Sequence, residues 1–136
     1  MNLMIEKVAA LLPVLEARGG IYLFAFAETD GLRRWDVVLS SEWSDRNPNE
    51  AVRYVVGLLQ PILTVEEITL ISRVAVIRSS DPNMQALPTE LNGVSPGQRK
   101  IVYASFLGSD IRQAYVFRGQ RPPKVQQEAL LADTLG

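Results

Sequence analysis

The stretch Ile21-Tyr22-Leu23-Phe24-Ala25-Phe26-Ala27-Glu28 constrains this chain more than any other. It is apolar on both parities, with Ile21, Leu23 and Ala25 on one and Tyr22, Phe24 and Phe26 on the other. A strand of that kind needs both of its faces covered. It therefore belongs inside a sheet with material packed above and below. Thr29-Asp30-Gly31 follows, and Asp-Gly is a strong hairpin signal. Arg33 to Ser41 reads as the returning strand.

The rest of the chain supplies the covering layers. Residues 2–18 read as a helix, because Leu3, Met4, Val8, Leu11, Leu12 and Leu15 recur at three- and four-residue steps. Pro13 should kink or split it, and Gly19-Gly20 should stop it. Asn47-Pro48-Asn49-Glu50 opens a second helix running to about Gln60, with Glu50 able to complete a capping box. Thr64-Val65-Glu66-Glu67 repeats that signature and predicts a short helix. Ser72 to Ser79 is β-branched and strand-like, and Asp81-Pro82 begins a turn of helix. Pro88 to Gly97 reads as loop. Lys100 to Leu107 and Ile111 to Arg118 read as a second hairpin.

The expected fold is α+β, a five-stranded, mainly antiparallel sheet with helices packed on it. The element order is α-β-β-α-(α)-β-β-β-α, which is similar to the roadblock and profilin-like folds. In those folds the members are mostly dimerising scaffolds; the comparison rests on element order and carries fold analogy alone. With 136 residues, the chain suits one domain over 1–120 and a helical or frayed tail over 121–136.

Composition then excludes chemistry. The chain has no cysteine and no histidine. Thiolate metal sites, disulfides and Cys or His catalysis are absent with them. No cofactor is expected, and the chain leans away from being an enzyme. The N-terminus lacks signal-peptide flanks, and Ile21 to Ala27 is too short to span a bilayer, so the expected location is cytoplasmic with no membrane partner.

Candidate motifs mostly fail on their own terms. Gly93-Val94-Ser95-Pro96-Gly97 matches G-x-S-x-G, but Pro96 has no N–H to offer an oxyanion and no histidine exists as base. Asp45 to Glu50 begins like a calcium loop, yet its sixth position is Glu50 instead of Gly and its twelfth is Val56. Glu28, Asp30 and Asp36 read as solvated turn acids more readily than as a Mg²⁺ site. Residues 99–124 carry six basic residues against Asp110, a net +5, which leaves −6 for the remainder. Tyr103, Phe106, Tyr115 and Phe117 interleave with them, as in single-strand nucleic-acid binders. Tyr115 and Phe117 nevertheless oppose Arg112 and Arg118 in parity, the pattern of an ordinary amphipathic strand.

The remaining feature is Trp35 to Trp43. Alternation from Arg33 puts Trp35, Val37, Leu39, Ser41 and Trp43 on one face and Asp36, Val38 and Ser40 on the other. Asp36 is then a charge within a strong strand, needing a partner such as Arg73 or Arg78. Trp35, Asp36, Trp43 and Arg46 are the candidate partner- or ligand-binding residues, since tryptophan and arginine are enriched in binding hot spots. The block W-D-V-V-L-S-S-E-W resembles one found in uncharacterised small bacterial proteins. That resemblance covers residues 20–80 and implies a bacterial, cytoplasmic protein without assigning an activity. The leading expectation is a non-enzymatic interaction or regulatory module, with a protein partner or a second copy (a homodimer). The alternatives are a small-ligand binder or carboxylate enzyme near Asp36, Trp43 and Arg46, and a weak single-strand nucleic-acid binder through 99–124.

Overall fold

The structure, a computed structural model, describes residues 2–29, 34–94, 100–102 and 111–123. Both expected hairpin turns, the Ser95-Pro96-Gly97 loop and the tail beyond 123 lie outside the described residues. The N-terminal helix is split, as Pro13 requires. α1 spans Asn2–Ala9 and α2 spans Leu12–Glu16, with Pro13 in the first turn of α2. There its missing N–H and fixed φ do no harm. Gly19 ends this arm at φ +148°, a conformation open to glycine and strained for other residues.

β1 (Ile21–Thr29) pairs antiparallel with β2 (Trp35–Ser41) on one side and with β5 (Ile111–Gly119) on the other. Helices α3 (Glu42–Arg46), α4 (Pro48–Leu59) and α5 (Val65–Thr69) carry the chain across to β3 (Ile71–Val76). A crossover of that length lets β3 run parallel to β2. A short helix α6 (Pro82–Gln85) and turns lead on to β4 (Lys100–Val102), which pairs antiparallel with β5. The sheet order is β3-β2-β1-β5-β4.

The α+β class holds, and the sheet is mixed. The finer expectation is met in part: four strands have six to nine residues, while β4 is a three-residue edge. The expected order also lacked α3. The capping of α4 differs from expectation too. The Asn47 side chain accepts from the Glu50 N–H at 3.1 Å, but the Glu50 carboxylate turns to Arg18. At α5 the reciprocal box is complete, with Thr64 Oγ1 and Glu67 each accepting from the other's N–H.

The two faces of the sheet are covered by different means. On one face, Phe24, Phe26, Trp35, Val37, Leu39 and Phe117 lie under Met4, Ile5, Val8 and Leu15 of α1 and α2 and under Val55 and Leu59 of α4. On the other, Leu23, Ala25, Ala27, Val38, Ala114 and Val116 lie under Met84, Leu87 and Leu91. A bulge between Ile21 and Leu23 shifts the register. Ile21 therefore joins the Phe24 face, against the simple alternation that grouped it with Leu23. The small-residue face lets an irregular segment lie directly on the strands. Arginines strap that segment down. Arg121 donates to the Leu87 carbonyl (2.7 Å) and to Thr89 Oγ1 (3.1 Å), and Arg118 donates to the Val94 carbonyl (3.0 Å).

Candidate functional site

The segment from Trp35 to Trp43 changes element part-way. Ser41 is extended (φ −159°, ψ 164°) and caps α3. Its Oγ accepts from the Ser44 N–H at 3.0 Å, while Ser44 Oγ accepts from the Ser41 N–H at 3.0 Å. This is a capping box closed by serine where glutamate or glutamine is usual. Strand alternation therefore stops at Ser41, and Trp43 is a helical residue, not the last member of the Trp35 face.

The four candidate residues consequently do not share one site. Trp35 is 1 % exposed and stacks on Phe26 (centroids 4.5 Å apart, planes at 14°) with Tyr115 beyond at 5.8 Å. Trp43 lies past the far end of β2, after roughly 20 Å of strand. It packs edge-on to Tyr54. The Arg18 guanidinium sits 4.5 Å from the Trp43 ring and 4.3 Å from the Tyr54 ring, and is bound by both Glu50 oxygens at 3.0 and 3.3 Å. This cluster joins the end of α2 to α3 and α4 by cation–π and charge-assisted contacts. Arg46 is exposed and pairs with Glu42 at 3.3 Å, one helical turn away.

Asp36 is nearly buried (3 % exposed), and its charge meets Arg73, directly across the parallel ladder. Arg73 Nε donates to Asp36 Oδ2 at 3.1 Å, while Oδ1 has no hydrogen-bond partner among the described residues. Removing one member of a buried pair costs about 3–5 kcal/mol. Here the Arg73 side chain is 66 % exposed, so water softens the loss. Arg73→Ala is expected to lower unfolding free energy by about 2 kcal/mol in urea denaturation. Adding Asp36→Asn should recover most of that, because the cost is an uncompensated charge rather than lost packing. No recovery in the double variant would refute this account.

Other sequence candidates are committed to structure. Asp45 accepts from the Ser79 N–H (3.0 Å) and the Ser79 hydroxyl, and Asn47 caps α4. Burial, followed by the charges of Glu42 and Asp45, raises the Tyr22 phenol above its usual range. Gln113 reaches Glu28 at 3.5 Å. Among the described residues no three metal-ligating groups cluster. No helix of the described residues is long and apolar enough to cross a membrane.

A different place has the character of a site. A groove of about 210 Å³ runs between α4, α5 and β3, lined by Val56, Leu59, Leu63, Ile68, Ile71 and Val74. Val65, Ile68 and Ile62 are exposed in the same α4–α5–β3 region, Val65 by 79 %. β3 bounds the groove and is an edge strand. Val37 and Leu39 oppose Val74 and Val76, and the Ile77 N–H donates to the Leu39 carbonyl at 2.8 Å. In a parallel ladder alternate residues bond to the neighbour. The N–H and C=O groups of Val74 and Val76 therefore point outward, and no described residue pairs with them. α5 is fixed beside this edge by Lys7, whose Nζ donates to Glu67 at 2.7 Å. That bond and the Thr64 N–H hold the Glu67 carboxyl below the usual range.

No family model matches this chain, and no curated protein or solved structure matches it. Sequence reading missed the groove because its lining comes from three separate elements. One signal was legible: Val65 and Ile68 are apolar residues in a short helix that offers too little length to bury both.

Proposed function

We propose that this chain is a non-enzymatic protein-interaction module that docks a partner along β3 and the adjoining groove. The observation that carries this reading is the open edge of β3, with the backbone groups of Val74 and Val76 facing outward beside exposed Val65 and Ile68. Folded domains usually protect such edges, because an unpaired strand recruits another. A groove of about 210 Å³ also falls below the roughly 300–1,000 Å³ of small-molecule sites, which favours an extended occupant over a compact ligand. The nucleic-acid alternative loses two of its basic residues, since Arg118 and Arg121 are bound to backbone carbonyls.

The test is site-specific photo-crosslinking in cells. A photoreactive side chain at Val65 or Ile68 is expected to trap a defined protein adduct that the same group at Asn83, exposed on α6, does not. Once purified, the trapped protein should slow hydrogen exchange at the Val74 and Val76 amides. Identical adducts from all three positions, or unchanged exchange, would sink the proposal.

A further inference from the structure

Resting on that reading, we propose the chemistry of the partner: an extended strand whose acidic residues, about five positions apart, flank an apolar centre. Two features of the β3 edge lead to this. The first is the outward backbone of Val74 and Val76, which only another extended backbone can satisfy along its length. The second is charge. Arg73, within β3, and Arg78, two residues past the end of the strand at Val76, bracket the open stretch five positions apart. Arg78 is exposed and has no carboxylate partner among the described residues, and the Arg73 side chain is largely in water although its Nε is held by Asp36. Arg53, also exposed and without an ion pair among the described residues, lies on α4 one turn before Val56, on the helix stripe that lines the groove.

The acids flanking this edge are mostly committed elsewhere. Glu67 holds Lys7, Asp45 holds Ser79, and Asp81 caps α6. Glu66, exposed on α5, is the exception. The rim is thus a cationic frame around an apolar edge, and carboxylates at matching spacing would find charge-assisted partners at both ends.

A second copy fits this edge less well: its own Ile71 to Arg78 carries two arginines and no carboxylate, so it brings no complementary charge to the rim.

The probe is a fluorescein-labelled peptide, Glu-Val-Thr-Val-Thr-Glu, titrated into the full chain by fluorescence anisotropy. It is compared with the Lys-flanked version and with two versions N-methylated on alternate amides. The glutamate peptide is expected to bind about tenfold tighter than the lysine peptide at low salt. N-methylation of one alternate set should abolish binding and of the other should not, because a strand presents its amides to one neighbour at a time. Arg78→Glu, at an exposed position, should erase or invert the charge preference. Equal binding of the two peptides, or indifference to N-methylation, overturns the proposal. So does a concentration-dependent dimer in sedimentation equilibrium that Arg78→Glu strengthens. If the Val65 and Ile68 adducts form while the peptides show no acidic preference, the partner chemistry falls and the docking surface stands. If neither appears, both fall.

Discussion

Trp35→Ala is expected to lower unfolding free energy by about 4 kcal/mol, the largest loss from a single side-chain truncation in this fold. Trp35 is 1 % exposed and lies flat on Phe26, with Tyr115 across the next strand pair. It sits where the α1–α2 arm and α4 close over the aromatic face, so the surrounding helices cannot collapse into the space it leaves. Trp35→Phe should cost far less, roughly 1–2 kcal/mol. Phenylalanine keeps the ring on Phe26 and removes the indole N–H, which is buried without an acceptor among the described residues. Urea denaturation of the two variants measures the contrast. Comparable losses for both would show that Trp35 is held by its edge rather than by the stack. The same pair also bears on function: Trp35 lies in the core, so Trp35→Phe should leave partner capture at Val65 intact.

The sequence made the centre of this fold legible and its margins less so. Ile21 to Glu28 demanded cover on both faces, and β1 lies between β2 and β5 with a packed layer on each side. Pro13 marked the break in the first helix, and Thr64 with Glu67 marked α5, because those signals act over three or four residues. Three features escaped for reasons of range. The parallel course of β3 depends on how a crossover of three helices packs, which no local pattern encodes. The bulge between Ile21 and Leu23 reverses parity without a Gly or Pro to announce it. Ser44 closes a capping box in place of glutamate, so the turn from β2 into α3 carries no usual helix-start signal and strand alternation extends on paper to Trp43, a helical residue. For the site, the legible part was the charge of Asp36 and its need for an arginine. The groove was illegible because it is a relation among α4, α5 and β3. A lone Val65 or Ile68 is unremarkable on any surface; it is their position beside an open strand edge that supports the docking proposal.

The second large effect is expected at a residue with no side chain. Gly119→Ala should cost about 3 kcal/mol, at the upper end for overpacking by a single methyl. Gly119 ends β5, where it faces Leu23 of β1 and also pairs with the segment strapped over the small-residue face. The Gly93 N–H donates to the Gly119 carbonyl at 2.8 Å, and the Gly119 N–H donates to the Val94 carbonyl at 3.0 Å. A Cβ at 119 would collide with the Leu91 carbonyl oxygen and lie 3.2 Å from the Leu91 carbonyl carbon. The obstacle is backbone rather than a flexible side-chain tip, and it is held in place by those two hydrogen bonds and by Arg118 and Arg121. Relief would require lifting the Leu87–Val94 segment off the sheet and uncovering Ala25, Ala114 and Val116. Gly57→Ala supplies the control. Gly57 lies in α4, where an added Cβ meets nothing within 4 Å, so alanine there should raise stability by about 0.5–1 kcal/mol through helix propensity. Opposite signs in parallel urea titrations would establish that Gly119 is selected by the close approach of Leu91. Equal, small effects would mean that the segment can move aside, and that the second face of the sheet is far softer than its hydrogen bonds imply.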